Sequence, residues 1–460
     1  MTQDHFLFIE SNTTGTGALA VSRLLAEGAH ITFLARHPEK YPFLDSASTG
    51  LSVITMDTND VEAVCEAVRG VRRRREGLAA VLTFSEFYVA IAAEVAARLG
   101  YRYLSLAAAR ACRHKFTTRE VLRAAGLATP EFRLVTSEVE ARRAAGEIGY
   151  PCIVKPPADS SSKGVRLVRD RDELEEHFRR LHAWRVNDRG QPLSGEVLLE
   201  SLLAGPEVSV ETVTLTSGDT RVIGITTKHL SPPPLFVEIG HDFPAAIGSE
   251  EAARIQQVVL SALAAVGFDF GPAHTEVRLT SAGPVVVEIN PRLAGGMIPE
   301  LIRYALGIDL LSVFLDQLRG CPVDLLAKRA EWASIRFLTA QCSGRLTGVA
   351  GIDEARRVPA VREVSIVKKL GAEVRKAEEA ADRVGFVIAS GSSRREVLEI
   401  EKAVNCIRLS VVPPERQIDD CGEGGPGVAL DSARGILTRH DCPPLRRAPL
   451  RSGMPRGGSV

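Results

Sequence analysis

The sequence predicts a multidomain α/β and α+β chain that opens on a doubly wound parallel sheet. Three observations predict it. Short β-branched and aromatic runs alternate with helical periodicity over the first hundred residues. Near Thr129-Pro130 and Gly149-Tyr150-Pro151 that alternation gives way to smaller α+β units. From residue 197 to 320 β-rich segments mix with amphipathic helices. At 460 residues the chain is long enough for two to four buried cores.

His5–Ile9 reads as the first strand and Ala18–Glu27 as the first helix. His30–Leu34 and Leu51–Thr55 follow as strands, Val61–Val68 as a helix, Ala79–Phe84 as a strand and Val89–Leu99 as a helix. In the β-rich stretch, Val208–Thr216, Val222–Thr226 and Val285–Ile289 read as strands, and Ser249–Val266 and Ile298–Ala305 as helices. Residues 332–411 form a further α+β unit. After Val412 the chain turns to Pro, Gly and Arg without apolar periodicity, so a disordered tail is expected whose deletion leaves activity intact.

Bulk composition excludes several function classes. Lys+Arg and Asp+Glu are equal at 57 each, which argues against a general nucleic-acid or polyanion binder. No run of about 18 apolar residues exists, so no membrane span is expected. The start lacks a basic segment followed by a long apolar one, so no signal peptide is expected. The eight cysteines (65, 112, 152, 321, 342, 406, 421 and 442) form no C-x-x-C pair, which fits reduced thiols of the cytoplasm better than zinc or disulfides.

Candidate chemistry appears in chain order. Ser11–Ala20 fits G-x-G-x-x-A through Gly15 and Gly17, a weak dinucleotide fingerprint. The second strand ends in Ala35-Arg36 with no ribose-binding acid, so the choices are NADP, a plain tight turn, or a substrate-facing loop. Arg113–Arg119 begins a helix whose Lys115 can reach phosphates; taken alone, such a run is a solvated face. Tyr150–Pro156 is an apolar strand bearing Lys155. The small residues Asp159–Val165, with Ser161, Ser162 and Gly164, follow as a loop before a second strand. Small residues let backbone N–H groups approach phosphate oxygens, and the bland alternative is a flexible hairpin. Val197–Glu207 is an apolar strand and turn carrying Glu200, Leu202 and Glu207. Backbone beside an apolar wall can read an adenine and a carboxylate can hold a ribose, although an isolated match is more often a strand with exposed acids. Phe236–Pro244 places Glu238 and His241 three apart in a Pro-bounded loop, a pair able to bind an amino or carboxylate group or to move a proton.

The richest stretch is Val285–Gly296, V-V-V-E-I-N-P-R-L-A-G-G. Glu288 and Asn290 lie two apart on a strand and share a face, with Arg292 just beyond. Twelve residues upstream, His274–Arg278 supplies a second acid, Glu276. Hard oxygens suit Mg²⁺, and a guanidinium suits developing phosphate charge.

The order of these pieces, from Lys115 and Lys155 through Glu200, Glu207 and Glu276 to Glu288-x-Asn290-x-Arg292, resembles the ATP-grasp superfamily over roughly residues 110–310. Within it the chain is similar to the carboxylate–amine ligases, L-amino-acid ligases included. The resemblance implies an N-terminal Rossmann-like domain (1–108), a small lid subdomain (109–196), a large subdomain with the metal site (197–325), a C-terminal α+β subdomain (326–412) and the tail (413–460). It implies ATP and Mg²⁺, with Mn²⁺ as a substitute. Lys115 and Lys155 then meet the ATP phosphates under the lid of Ser161, Ser162 and Gly164. Glu200 and Leu202 line the adenine hinge and Glu207 takes the ribose. Glu276, Glu288 and Asn290 hold metal, and Arg292 is catalytic. Glu238, His241 and Glu86 face the substrate, Glu86 at an amino group. Two departures stand out: His114 precedes Lys115 where the family often has Asp, and the lid is Ser-rich rather than Gly-rich.

The expected reaction activates a carboxylate as an acyl phosphate, which an amine then attacks, with release of ADP and phosphate. The substrates are small carboxylates and amines, amino acids first among them, and the family's common assembly is a homodimer. Alternatives are a biotin-carboxylase-like enzyme activating bicarbonate and a non-catalytic nucleotide-binding protein.

Overall fold

The computed structural model describes residues 4–413 apart from 14, 46–48, 75–76, 161 and 217. The expected tail lies outside the described residues except for Pro413. Strands β1 (His5–Ile9), β2 (His30–Ala35), β3 (Leu51–Thr55) and β4 (Leu78–Leu82) form a parallel sheet in the order β3-β2-β1-β4. Strand β1 is buried along its length, as expected of a parallel strand covered on both faces. Its alternating side chains divide between two cores. Phe6 and Phe8 pack with helix α1 (Thr16–Ala26), whereas Leu7 and Ile9 pack with α2 (Val61–Arg74) and α3 (Val89–Leu99). In the turn before α1, Gly17 is required by space: a Cβ there would stand 1.9 Å from Ser11 Oγ.

Two short helices, α4 (Leu106–Arg113) and α5 (Lys115–Ala124), lead to the next unit. Ser105 caps α4, its Oγ accepting from the Ala108 N–H at 3.3 Å. His114 caps α5, its Nδ1 accepting from the Thr117 N–H at 3.4 Å. A four-stranded antiparallel sheet follows, from β5 (Phe132–Val135), β6 (Cys152–Lys155), β7 (Arg166–Val168) and β8 (Val197–Ser201), in the order β5-β8-β6-β7. Helices α6 (Glu138–Ile148) and α7 (Arg171–His182) pack on it. The expected boundary before Val197 therefore cuts this sheet, because β8 pairs back with β5 and β6.

The large sheet has eight strands. Six of its members are β9 (Glu207–Thr214), β10 (Thr220–Leu230), β11 (Glu238–Phe243), β12 (Gly271–Thr280), β13 (Gly283–Asn290) and β14 (Trp332–Thr339). After β15 (Gly344–Ala350) come β16 (Val361–Ile366), β17 (Glu373–Val374), β18 (Arg383–Gly391) and β19 (Arg408–Val412). The order is β13-β12-β9-β10-β11-β14-β18-β16, and β17-β15-β19 make a small separate sheet. The sheet runs across the boundary expected at 325/326. Helix α8 (Ser249–Ala265) packs with β9, β12 and β13, and α9 (Ile298–Leu306) and α10 (Leu310–Arg319) join the core of β1.

One expectation is corrected here. Phe236–Pro244, read as a loop, contains β11, which lies between β10 and β14. Its sequence, E-I-G-H-D-F, has little apolar alternation. Pairing on both edges supplies what local propensity lacks. Among the described residues no helix is long and apolar enough to cross a membrane.

Candidate active site

Cross-strand register assembles the site. His274 lies opposite Asn290 and Glu211, Glu276 opposite Glu288 and Ser209, and Arg278 opposite Glu207. Glu207 is in turn opposite Lys228, and Lys228 opposite His241. Residues alternating along a strand share a face, so these groups stand together on one face of five adjacent strands. A bulge between Glu276 and Val277 leaves Val287 without a partner in β12. The Val287 carbonyl instead accepts from Arg119 Nη2 at 2.7 Å.

Lys228, which the sequence reading did not single out, is the electrostatic hub. Its buried Nζ lies 2.7 Å from Glu207, 2.9 Å from Glu238 and 2.6 Å from Glu276. Burial opposes its charge, but the three carboxylates outweigh burial and hold its pKa well above the usual lysine value. Glu276 also meets His274 Nε2 at 3.4 Å, while His274 Nδ1 sits 2.8 Å from Glu211. Burial works against a charged His274, yet Glu211 and Glu276 lift it to about 10. Burial also opposes ionisation of Glu276, and Lys228 and His274 pull it well below the carboxylate range.

The expected metal set is Glu276, Glu288 and Asn290, all lining one cavity of about 140 Å³. Lys115 Nζ is 2.9 Å from Glu288 Oε1 and donates to the Asp159 carbonyl at 2.7 Å, which joins the acid to the lid. Two carboxylates and an amide oxygen are hard donors suited to a divalent cation. The Asn290 amide is satisfied when its NH₂ donates to both oxygens of Glu86, each at 3.0 Å, which turns its oxygen away from Glu86.

The expected nucleotide residues gather in a cleft between the small and large sheets. Lys115, Lys155, Ser162, Glu200, Leu202 and Glu207 all line it. Ser161 lies outside the described residues. Gly164 is absent from the cleft lining; its φ of +71° and the closeness of Leu181 explain the glycine. Glu200 is buried between Lys155 Nζ at 2.6 Å and Arg119 Nε at 2.8 Å. Burial favours its neutral form, but Arg119 and Lys155 pull it down to about 2. Arg119 is fully buried, although its charged run, taken alone, reads as a solvated helix face. Glu207 is shared between Lys228 and Arg278 Nε, the latter at 2.8 Å.

The substrate candidates divide. Glu238 lines both the 140 Å³ cavity and the cleft, held by Lys228 and by Arg383 Nη2 at 3.0 Å. Arg383, on β18, stacks 3.6 Å over Phe337 and was also missed from the sequence. His241 is 1 % exposed and neither ring nitrogen has a hydrogen-bond partner among the described residues. Burial drives its pKa down to about 3 in spite of Glu238 at 3.6 Å. It lies beneath Gly296, where a Cβ would come within 2.5 Å of its Nε2. Arg292 Nη2 donates to Glu86 Oε2 at 2.5 Å and Nη1 to the Leu293 carbonyl at 3.0 Å. Glu86 is buried and also paired with Arg113. The structure thus places protein donors, from three residues, on the carboxylate expected at a substrate amino group.

A larger cavity of about 570 Å³ adjoins the cavity of Glu276, Glu288 and Asn290 and shares with it Glu86, Arg292, Gly295, Gly296, Ala380 and Arg383. Asn12, Gly15 and Thr16 of the glycine loop line this cavity too, beside Phe84, Met297, Phe337 and Phe386. Cys112 and Cys152 are buried core thiols, and burial pushes Cys152 up to about 11.

Comparison with known proteins accords with this geometry. Residues 148–300 match the ATP-grasp domain, and residues 336–412 match the L-amino acid ligase C-terminal domain 2. Uncharacterized protein y4rH of Sinorhizobium fredii is 32% identical over 412 residues, spanning 88% of this chain and 83% of that one. Alanine–anticapsin ligase of Bacillus subtilis is 29% identical over 259 residues, 53% of this chain and 54% of the enzyme, so the match spans only about half of its length. Among solved structures, an L-amino acid ligase from Bacillus licheniformis has a TM-score of 0.76 with 22% identity, covering 90% of this chain and all of that one.

Proposed function

The chain belongs to the ATP-grasp superfamily and carries the C-terminal domain of L-amino acid ligases, and on that premise we propose that it is an ATP-dependent carboxylate–amine ligase joining an amino acid to an amine. One observation carries the reading. Three cavities run in series. Ser162, Glu238, Glu276 and Glu288 are shared by the nucleotide cleft and the metal cavity, and Arg292 and Glu86 by the metal cavity and the larger one. A nucleotide in the first therefore points its terminal phosphate at the second, and a small substrate reaches the same point from the third.

Adenine lies against the backbone of Glu200–Leu202, with Glu207 at the ribose and Lys115 and Lys155 at the phosphates. Glu276, Glu288 and Asn290 would hold Mg²⁺ or Mn²⁺. A bound cation there neutralises phosphate charge and polarises the transferring group. With Glu288 engaged by a cation, Lys115 would turn toward phosphate oxygens, the other anions a buried ammonium can serve, while Lys228 keeps Glu207 and Glu238 as partners.

The amino acid's carboxylate sits at Arg292 and its ammonium at Glu238, which Lys228 and Arg383 keep ionised despite burial. A carboxylate oxygen attacks the γ-phosphorus, the bond to the β-phosphate oxygen breaks, and an acyl phosphate and ADP result. The amine enters through the larger cavity, whose Phe84, Met297, Phe337 and Phe386 favour an apolar side chain. Its nitrogen attacks the acyl carbon, the C–O bond to phosphate breaks, and the proton shed by nitrogen leaves with the phosphate. Arg292 stabilises the oxyanion of the tetrahedral intermediate.

A phosphate-release screen of amino-acid pairs, with product masses determined, tests the reading. It expects phosphate only when both partners are present. Turnover driven by bicarbonate and biotin without an amine would replace it with the carboxylase reading.

A further inference from the structure

Glu86 stands at the start of a 3-10 turn, Glu86–Tyr88, directly after β4 of the N-terminal sheet. Its position is fixed from below. The Ser85 N–H donates to Thr83 Oγ1 at 3.0 Å, Thr83 Oγ1 donates to the Glu10 carbonyl at 3.3 Å, and the Tyr88 N–H donates to the Ser85 carbonyl at 3.0 Å. The carboxylate then reaches across to three groups outside its own domain. Arg113 Nη1 holds one oxygen and Arg292 Nη2 holds the other at 2.5 Å, and the Asn290 amide, once its NH₂ is turned to face the carboxylate, donates to both at 3.0 Å. At 6 % exposure it has little room for a substrate amine as well.

A carboxylate only accepts hydrogen bonds, whereas an amide offers both an oxygen and an NH₂. Facing Glu86, Asn290 can present only its NH₂, so its oxygen must turn the other way. We propose that Glu86 is a positioning residue: it fixes the Asn290 amide with its oxygen toward the metal, and Arg292 with its free guanidinium edge toward the substrate. The N-terminal domain thereby sets the metal and oxyanion groups of the large sheet. Ligand-orienting partners of this kind usually change metal affinity by about 10–100-fold when lost. The proposal rests on Asn290 being a metal ligand.

Glu86→Gln isolates the effect. Glutamine keeps an oxygen for only one of the two guanidinium groups, and the NH₂ that replaces the other oxygen faces Asn290, which meets it with its own oxygen. The metal corner then receives an NH₂, which is no ligand. Mn²⁺ binding in the presence of ADP, followed by electron paramagnetic resonance on the full chain, reads this without turnover. The expected result is a loss of about tenfold or more in E86Q, with metal-free ADP binding intact as evidence of folding. In N290D, which offers oxygen whichever way it turns, adding E86Q changes Mn²⁺ affinity by less than about threefold. Glu86→Asp keeps an acceptor-only group and holds affinity within about threefold of the parent. Unchanged affinity in E86Q, or a loss undiminished in the N290D background, overturns the proposal. If E86Q fails to bind metal-free ADP, E86D decides: a tenfold loss there overturns it. Asn290→Ala separates the premise from the inference. Unchanged Mn²⁺ affinity in N290A removes Asn290 from the metal set, whereas a loss in N290A with none in E86Q removes only the role of Glu86.

Discussion

Replacing Glu200 by Gln keeps its volume and removes its charge from between two buried cations. Arg119 is fully buried and Lys155 nearly so, and the carboxylate is 2.8 Å from one and 2.6 Å from the other. Its pKa falls from the ordinary 4.5 to about 2 because Arg119 and Lys155 outweigh burial. A shift of that size corresponds to about 3 kcal/mol of folded-state stabilisation at neutral pH. Removing one partner of a buried pair generally costs about 3–5 kcal/mol, which agrees. The folded pKa lies below the unfolded one, so the contribution is complete above the ordinary value and disappears as pH falls through about 2. Thermal unfolding followed by circular dichroism is the assay, with midpoints compared because a multidomain chain need not be two-state. At about pH 7, E200Q should melt roughly 5 °C below the parent. At about pH 3 less than half of that free-energy gap should remain. A midpoint within about 1 °C at neutral pH, or a gap that does not shrink in acid, would refute the reasoning.

Other outcomes follow from the same geometry. Glu288→Ala removes a proposed metal ligand and should lower kcat by about a thousandfold or more, with Mn²⁺ binding to the ADP complex lost as well; retained turnover means the metal assignment is wrong. Gly296→Ala puts a Cβ within 2.5 Å of His241 at a φ of +58°, and should cut kcat/KM more than about tenfold while leaving ADP affinity unchanged, as measured by calorimetry. His241 is held near 3 by burial, below its unfolded value of 6.5, so it destabilises the fold progressively as pH falls between those values. His241→Leu should therefore narrow the midpoint difference between neutral and mildly acidic buffer, and an unaltered difference would show that His241 titrates normally.

Much of this arrangement was legible in the chain because it is local. The run His5–Ile9 reads as a covered parallel strand, and it is one. Glu288 and Asn290, two apart on a β-branched strand, read as neighbours on one face, and they line one cavity. The hairpin carrying Lys155 and Ser162 follows from two apolar runs around small residues. What stayed hidden depends on register between distant segments. Lys228 is an isolated lysine in a Thr- and Ile-containing strand until β9, β11 and β12 bring it Glu207, Glu238 and Glu276. Arg119 sits in a polar helical run that looks solvated, and only Glu200, 81 residues on, makes it a buried cation. Strand β11 escaped because buried polar residues interrupt its apolar alternation: His241 is enclosed with neither ring nitrogen bonded among the described residues, and Asp242 accepts from Ser334 and Arg336 of the adjoining β14. Glu86 was visible as an acid near the site, but its three donors come from residues 113, 290 and 292.

The central claim is that the metal and arginine corner activates a carboxylate as an acyl phosphate. Its most direct test follows oxygen rather than activity alone. An amino-acid pair that supports phosphate release is supplied with the donor carboxylate labelled with heavy oxygen, and the products are resolved by mass spectrometry. Acyl-phosphate chemistry transfers one labelled oxygen from the carboxylate to inorganic phosphate in each turnover, with ADP and the amide formed in equal amounts. Label in AMP, or unlabelled phosphate alongside a formed amide, would contradict it.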